Sequence, residues 1–127
     1  MGRCISVVVP CYNEEQALPY FIQEIQMVAA EMAQKGVELE ILLVNDGSRD
    51  HTLSLLRDYA KQYENVRYLS FSRNFGKEAA MYAGLEHARG DYVAIMDADM
   101  QDPPALLPQM YDLLQTGEYD SVATRRV

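Results

Sequence analysis

Three carboxylates fall within the six positions Asp97-Ala98-Asp99-Met100-Gln101-Asp102, directly behind the apolar run Val93-Ala94-Ile95-Met96 and ahead of Pro103-Pro104. Acids crowded in this way repel one another and resist leaving water, and a cation relieves both costs. Asp97, Asp99 and the amide oxygen of Gln101 are hard donors at alternate positions. Such a set suits Mg²⁺ or Mn²⁺ and leaves coordination positions for the phosphates of a substrate. Asp102 reads differently, since an acid just before two prolines fits a helix N-cap with proline in the first turn. Capping serves Asp97 and Asp99 less well, and for that pair the metal reading is preferred. An EF-hand is excluded, because Asp102 stands where that loop needs glycine and Pro108 where it needs the closing glutamate.

Polar clusters of comparable kind occur at Cys11-Tyr12-Asn13-Glu14-Glu15, at Asp46-Gly47-Ser48 and at Ser72-Arg73-Asn74-Phe75-Gly76-Lys77. Each follows an apolar, β-branched run: Ile5 to Pro10, Glu40 to Asn45 and Val66 to Phe71. These runs, with Tyr92 to Met96, read as strands that are nearly continuous in apolar residues and so buried on both faces. Between them lie helical patterns. Leu18, Phe21, Ile22, Ile25, Val28, Ala29 and Met32 recur at three- and four-residue steps and end near Gly36. A second helix, capped by Ser48 or Asp50, turns Leu53, Leu56, Tyr59, Ala60 and Tyr63 inward. Glu78 to His87 form a third, with small residues for close packing. Leu106, Leu107, Met110 and Leu113 mark a fourth, ended by Gly117, and Ser121-Val122-Ala123-Thr124 begins a fifth strand. Alternation of this kind predicts an α/β fold with a mostly parallel sheet and helices on both faces. In a parallel sheet the four polar loops share the carboxyl edge, where open α/β sheets bind ligands.

The 127 residues, 49% of them hydrophobic, suffice for one domain with its own core. A formal net charge of −8 excludes a general nucleic-acid binder. Cys4 and Cys11, roughly 23 Å apart on one extended strand, are beyond disulfide reach and read as reduced thiols, consistent with cytosol. With no leader pattern and no apolar run of membrane-spanning length, the chain as given is expected to be soluble. No G-x-G-x-x-G or G-x-x-x-x-G-K-[ST] occurs, which disfavours dinucleotide oxidoreductases and P-loop kinases. His51 and His87 lie in or beside helices and read as surface or packing residues, which leaves a triad hydrolase without support. The remaining combination of cation, carboxylates and a few basic side chains suits a nucleoside diphosphate carrying a sugar, with Asp46 accepting from the nucleobase and Asp97 from the ribose.

Val8-Val9-Pro10-Cys11-Tyr12-Asn13-Glu14-Glu15, Val44-Asn45-Asp46-Gly47-Ser48, Ser72 to Ala79 and Asp97 to Pro104 resemble the successive motifs of family 2 glycosyltransferases. Within them the chain is most similar to the polyprenyl-phosphate glycosyltransferases, which include bactoprenol glucosyltransferases and dolichyl-phosphate mannose synthases. The resemblance covers nearly all of residues 1–127. It implies the nucleotide-sugar-binding part of a GT-A fold and inverting, divalent-metal-dependent transfer of a hexose from a nucleotide-diphosphate sugar to a polyprenyl phosphate. By resemblance Pro10, Tyr12, Asn13, Glu14, Asp46, Arg73, Lys77, Asp97 and Ala98 contact the nucleotide sugar, and Asp97, Asp99 and Gln101 hold Mg²⁺ or Mn²⁺. The Ser-Arg-Asn-Phe-Gly-Lys-Glu form favours a UDP-sugar, with GDP-mannose the other possibility. Such enzymes continue well past this length and act at the cytoplasmic side of a membrane. The chain is therefore expected to be a piece that keeps the nucleotide half without completing transfer by itself, and Arg125-Arg126 to open a basic segment facing the lipid phosphate. Two other readings remain open: a non-catalytic nucleotide-sugar-binding or partner-binding module, and a D-x-D phosphatase. The phosphatase arrangement belongs after the first strand, whereas this pair follows the fourth.

Overall fold

A computed structural model describes residues 3–99 and 103–115. The elements run β1 (Arg3–Cys11), α1 (Leu18–Gln34), β2 (Val37–Asn45), α2 (Thr52–Gln62), β3 (Val66–Ser70), α3 (Lys77–His87), β4 (Tyr92–Ile95), a short 3-10 turn (Pro104–Leu106) and α4 (Leu107–Gln115). The four strands form one sheet in the order β3-β2-β1-β4, and every pairing is parallel. The expected α/β architecture is present. The fourth helix's end at Gly117, the fifth strand, the Asp102 cap and Arg125-Arg126 lie outside the described residues.

Strand side chains alternate between two faces, and the two faces of β1 meet different helices. Ile5, Val7, Val9 and Cys11 join Leu18, Phe21, Ile25 and Met32 of α1, Leu56 and Tyr59 of α2 and Leu107 of α4 in one core. Val8 points the other way, toward α3. There Gly84 allows the helix backbone to sit against the sheet, since a Cβ at that position would come within 2.3 Å of Val8 Cγ1. The crossovers through α1 and α2 carry the chain outward from β1 to β3. The one through α3 returns it past β1 to β4, and the helix changes face as the direction of travel reverses, as right-handed crossovers require.

Several expectations are corrected in detail. Strand β4 was expected to be buried, yet Val93 is 41% exposed. Among the described residues β4 lies at the sheet margin, and α3 covers β1 and β2 rather than Val93. In α2, Leu55 packs on the core beside Leu56, Tyr59, Ala60 and Tyr63, whereas Leu53, expected in that stripe, does not. Helix α3 begins at Lys77, one residue before the expected Glu78. Both cysteines are free thiols. No described helix is long and apolar enough to cross a membrane.

Candidate active site

Because the strands are parallel, Cys11, Asn45, Ser70 and Ile95 end at one edge. The strand order adds a second constraint. The chain leaves β1 toward β2 on one side, while β4 lies on the other. The strand order thus reverses between β1 and β4, the switch point at which open α/β sheets take ligands, and the helices that follow these two strands, α1 and α4, pack together on one face. A cavity of about 260 Å³ occupies this place, lined by Pro10, Cys11, Tyr12, Glu14, Asp46, Lys77, Asp97 and Asp99. All four polar loops contribute to it.

The loops after β1 and β2 are tied to each other. Asn13, in the left-handed region at φ 53°, donates its backbone N–H to Ser48 Oγ at 2.9 Å, and its side-chain oxygen accepts from the Arg49 N–H at 2.8 Å. The Glu14 N–H donates to Thr52 Oγ1 at 2.8 Å and the Glu15 N–H to Asp50 at 3.2 Å. Neither expected cap holds the N-cap position of α2, which is His51 and makes no side-chain cap bond; Asp50, one residue earlier, accepts from the Thr52 N–H at 2.9 Å, and Ser48 braces Asn13. Burial works to raise the Asp50 pKa, but the hydrogen bonds from the Thr52 hydroxyl and N–H and the Glu15 N–H outweigh it and hold the carboxyl below its ordinary value. These bonds set the backbone that presents Tyr12 and Glu14.

Asp46 is buried at 3% exposure, and its carboxylate organises the loop after β3. It accepts from the Phe75 N–H at 2.8 Å, the Gly76 N–H at 3.1 Å and Asn74 Nδ2 at 3.1 Å. Gly47 makes the approach possible. A Cβ there would meet the Arg73 carbonyl carbon at 2.2 Å and Asn74 N at 2.3 Å, and its φ is +68°. The clamped loop leads into α3, whose first residue, Lys77, places Nζ 2.8 Å from Asp97 Oδ1.

Four carboxylates thus share the cavity with a single ammonium among the described residues. Glu14 registers the crowding: burial first, then the charges of Asp99, Asp97 and Asp50, push its pKa above the ordinary value. The chemistry of the set fits a hard divalent cation. Among the described residues no three acid, histidine or cysteine side chains form a metal-binding group by themselves. Asp97 and Asp99 would hold such an ion together with oxygens supplied by a ligand. Gln101, the third expected donor, lies outside the described residues.

Pro10, Tyr12, Glu14, Asp46, Lys77, Asp97 and Asp99 therefore come together as expected, whereas Asn13, Arg73 and Ala98 do not line the cavity. Asn13 serves the loop ties. Arg73 is exposed, its guanidinium 4.8 Å from the centre of the Phe75 ring. Ala98 is buried in the core. Cys11 and Asn74 were missed. Cys11 reads as the last apolar residue of a strand, and burial pushes its thiol well up, which keeps it protonated. Asn74 carries no charge to draw notice. His51 and His87 are surface residues bonded to Glu15 and to the Ala83 carbonyl, away from the cavity lining.

Residues 6–127 match the family model "Glycosyl transferase family 2". The chain is 42% identical over 125 residues to the undecaprenyl-phosphate 4-deoxy-4-formamido-L-arabinose transferase of Pseudomonas fluorescens (strain SBW25), covering 98% of this chain and 36% of that protein. It is 43% identical over 122 residues to the prophage bactoprenol glucosyl transferase homolog of Escherichia coli (strain K12), covering 96% and 39%. The chain thus spans less than two fifths of the length of these relatives. Among solved structures, the mannosyltransferase PcManGT from Pyrobaculum calidifontis in complex with GDP-Man and Mn²⁺ superposes with a TM-score of 0.64 at 27% identity, over 78% of this chain and 28% of that one. TarS 1-349 of S. aureus shares the fold, with a TM-score of 0.59 at 24% identity over 87% and 33%. With its GT-A-type parallel sheet, its rim of carboxylates and a family match running from β1 to the last residue, the chain belongs to glycosyltransferase family 2.

Proposed function

We propose that the chain binds the donor for a glycosyltransferase that moves a hexose from a nucleotide-diphosphate sugar to a polyprenyl phosphate, with inversion and with Mg²⁺ or Mn²⁺. The observation that carries this reading is the convergence of Tyr12, Glu14, Asp46, Lys77, Asp97 and Asp99 on one cavity at the sheet's switch point. Pro10, Tyr12 and Glu14, on the loop after β1, flank the nucleoside. Asp46 fixes the loop after β3 and borders the same pocket. Lys77 lies within reach of a diphosphate held beside Asp97, and Asp97 and Asp99 are the ligands for the cation.

When bound, a divalent cation supplies charge neutralisation for the departing diphosphate. Displacement at an anomeric carbon passes through an oxocarbenium-like state, and a single in-line attack inverts the centre. A phosphate acceptor is already ionised near neutral pH, so the chain need not supply a histidine as general base. That matches a cavity whose titratable lining is carboxylates, one lysine, a tyrosine and a protonated thiol. A polyprenyl-phosphate acceptor is supported by the names of the two relatives above. A UDP-sugar is supported by the loop Ser72 to Glu78, and GDP-mannose remains the comparison because PcManGT was solved with it.

A thermal-shift panel of UDP-, GDP- and dTDP-sugars with and without Mn²⁺ tests the reading, since a ligand that binds only the native state raises its apparent stability. UDP-sugars are expected to raise Tm by several degrees, roughly the effect of ligand at 100 times its Kd, and only with Mn²⁺. No shift with any of the three nucleotide classes contradicts the proposal.

A further inference from the structure

The cavity's single ammonium among the described residues sits on one of the two carboxylates assigned to the cation. Lys77 Nζ lies 2.8 Å from Asp97 Oδ1, and the Lys77 side chain is 59% exposed against 27% for Asp97. The lysine backbone is held firmly. Asp46 takes the N–H groups of Phe75 and Gly76 immediately before it, and Gly47 lies directly under Arg73 and Asn74. The four-carbon stem beyond that backbone is flexible and mostly in solvent. A fixed root with a mobile charged tip is suited to exchange partners without any movement of α3.

An ammonium on one oxygen of a carboxylate repels a divalent ion brought to the same carboxylate and weakens its binding there. We propose that Lys77 is the resident counterion of Asp97 and a positioning residue for the cation site: a bound diphosphate draws its ammonium away and leaves Asp97 to the metal, which couples metal binding to nucleotide binding. This rests on the donor-site reading above and adds the order in which its charges are exchanged. The ion alone must compete with Lys77 for Asp97. The diphosphate gives Lys77 another anionic partner, so each ligand favours the other, and linkage makes the effect reciprocal.

The test is a titration of Mn²⁺ into the full chain, with and without UDP, followed by the electron paramagnetic resonance signal of free Mn²⁺. Wild type, Lys77→Met and Lys77→Arg are compared, with a thermal melt to verify folding. Without UDP, Lys77→Met should bind Mn²⁺ about two- to fivefold more tightly than wild type, the scale of losing one partly exposed ion pair. The factor by which UDP tightens Mn²⁺ should shrink correspondingly, and Lys77→Arg should behave as wild type. Unchanged or weaker nucleotide-free Mn²⁺ affinity in Lys77→Met, including no binding at all, overturns the proposal. If wild type still binds Mn²⁺ with UDP in that case, the donor-site reading survives. Absence of Mn²⁺ binding by wild type even with UDP would overturn both.

Discussion

At the scale of single residues, Asp46 shapes the site without any need to touch the reacting atoms. Its buried carboxylate gathers two backbone N–H groups and the Asn74 amide, charge-assisted bonds that outweigh neutral ones. Asp46→Asn keeps the shape but loses an acceptor oxygen and brings an amide N–H₂ against N–H donors. It should lower stability by about 2 kcal/mol in urea denaturation and weaken UDP binding, because the loop that roots Lys77 loosens. Unchanged stability would show that the carboxylate is not the loop's anchor. The sequence made Asp46 visible as a polar residue at a strand end, and its position in the pocket is as expected. Its bonding partners were not legible, because Phe75 and Gly76 lie about thirty positions away and donate through the backbone, which leaves no mark on residue type.

At the scale of elements, the close seating of α3 on the sheet decides where Lys77 emerges. Gly84 faces Val8, and an added methyl would have to displace the valine or lift the helix. Gly84→Ala should therefore cost about 1–3 kcal/mol, the usual range for overpacking, despite the better helix propensity of alanine. A stability gain on chemical denaturation would contradict this packing. Small residues in α3 had pointed to such contact, and strand runs and helix periodicities located all four described strands and their helices to within a few residues. Depth within the sheet was harder to read. Val93 follows the pattern of a buried strand, yet its exposure depends on which neighbour lies beside β4, and that is settled by topology rather than by local composition. Leu53 and Leu55, about 200° apart around the helix, flank opposite edges of the α2 stripe, and which edge is covered is again settled by topology.

At the scale of the whole molecule, the sheet separates two polar regions. Opposite the carboxyl edge, Glu40 collects a hydrogen bond from Ser6 Oγ at 2.6 Å, one from the Arg89 N–H at 3.0 Å and an ion pair with Arg67, whose guanidinium also reaches the His87 carbonyl at 2.8 Å. This joins β1, β2, β3 and the end of α3. Burial works to raise the Glu40 pKa, but these bonds outweigh it and hold the carboxyl below its ordinary value. The unfolded chain then binds the proton more readily, so Glu40 contributes stability above the ordinary carboxylate pKa and loses it as pH falls through that value toward the folded one. Glu40→Gln should be less stable at neutral pH, and its difference from wild type should narrow on acidification across that window in thermal melts. A constant difference would remove Glu40 from the acid response. The gathering of distant loops at one edge was legible from strand and helix alternation alone. The strand order that puts the switch point between β1 and β4 was not, because parallel pairing is chosen by long-range packing. The most direct measurement of the site is UDP binding by calorimetry with Mn²⁺ for wild type and Asp99→Ala. Asp99 lies exposed at the rim, so the variant should fold with a stability change within about 0.5 kcal/mol and lose Mn²⁺-dependent UDP binding. Equal UDP affinity in the two proteins would mean that the rim carboxylates do not hold the donor's diphosphate through a cation.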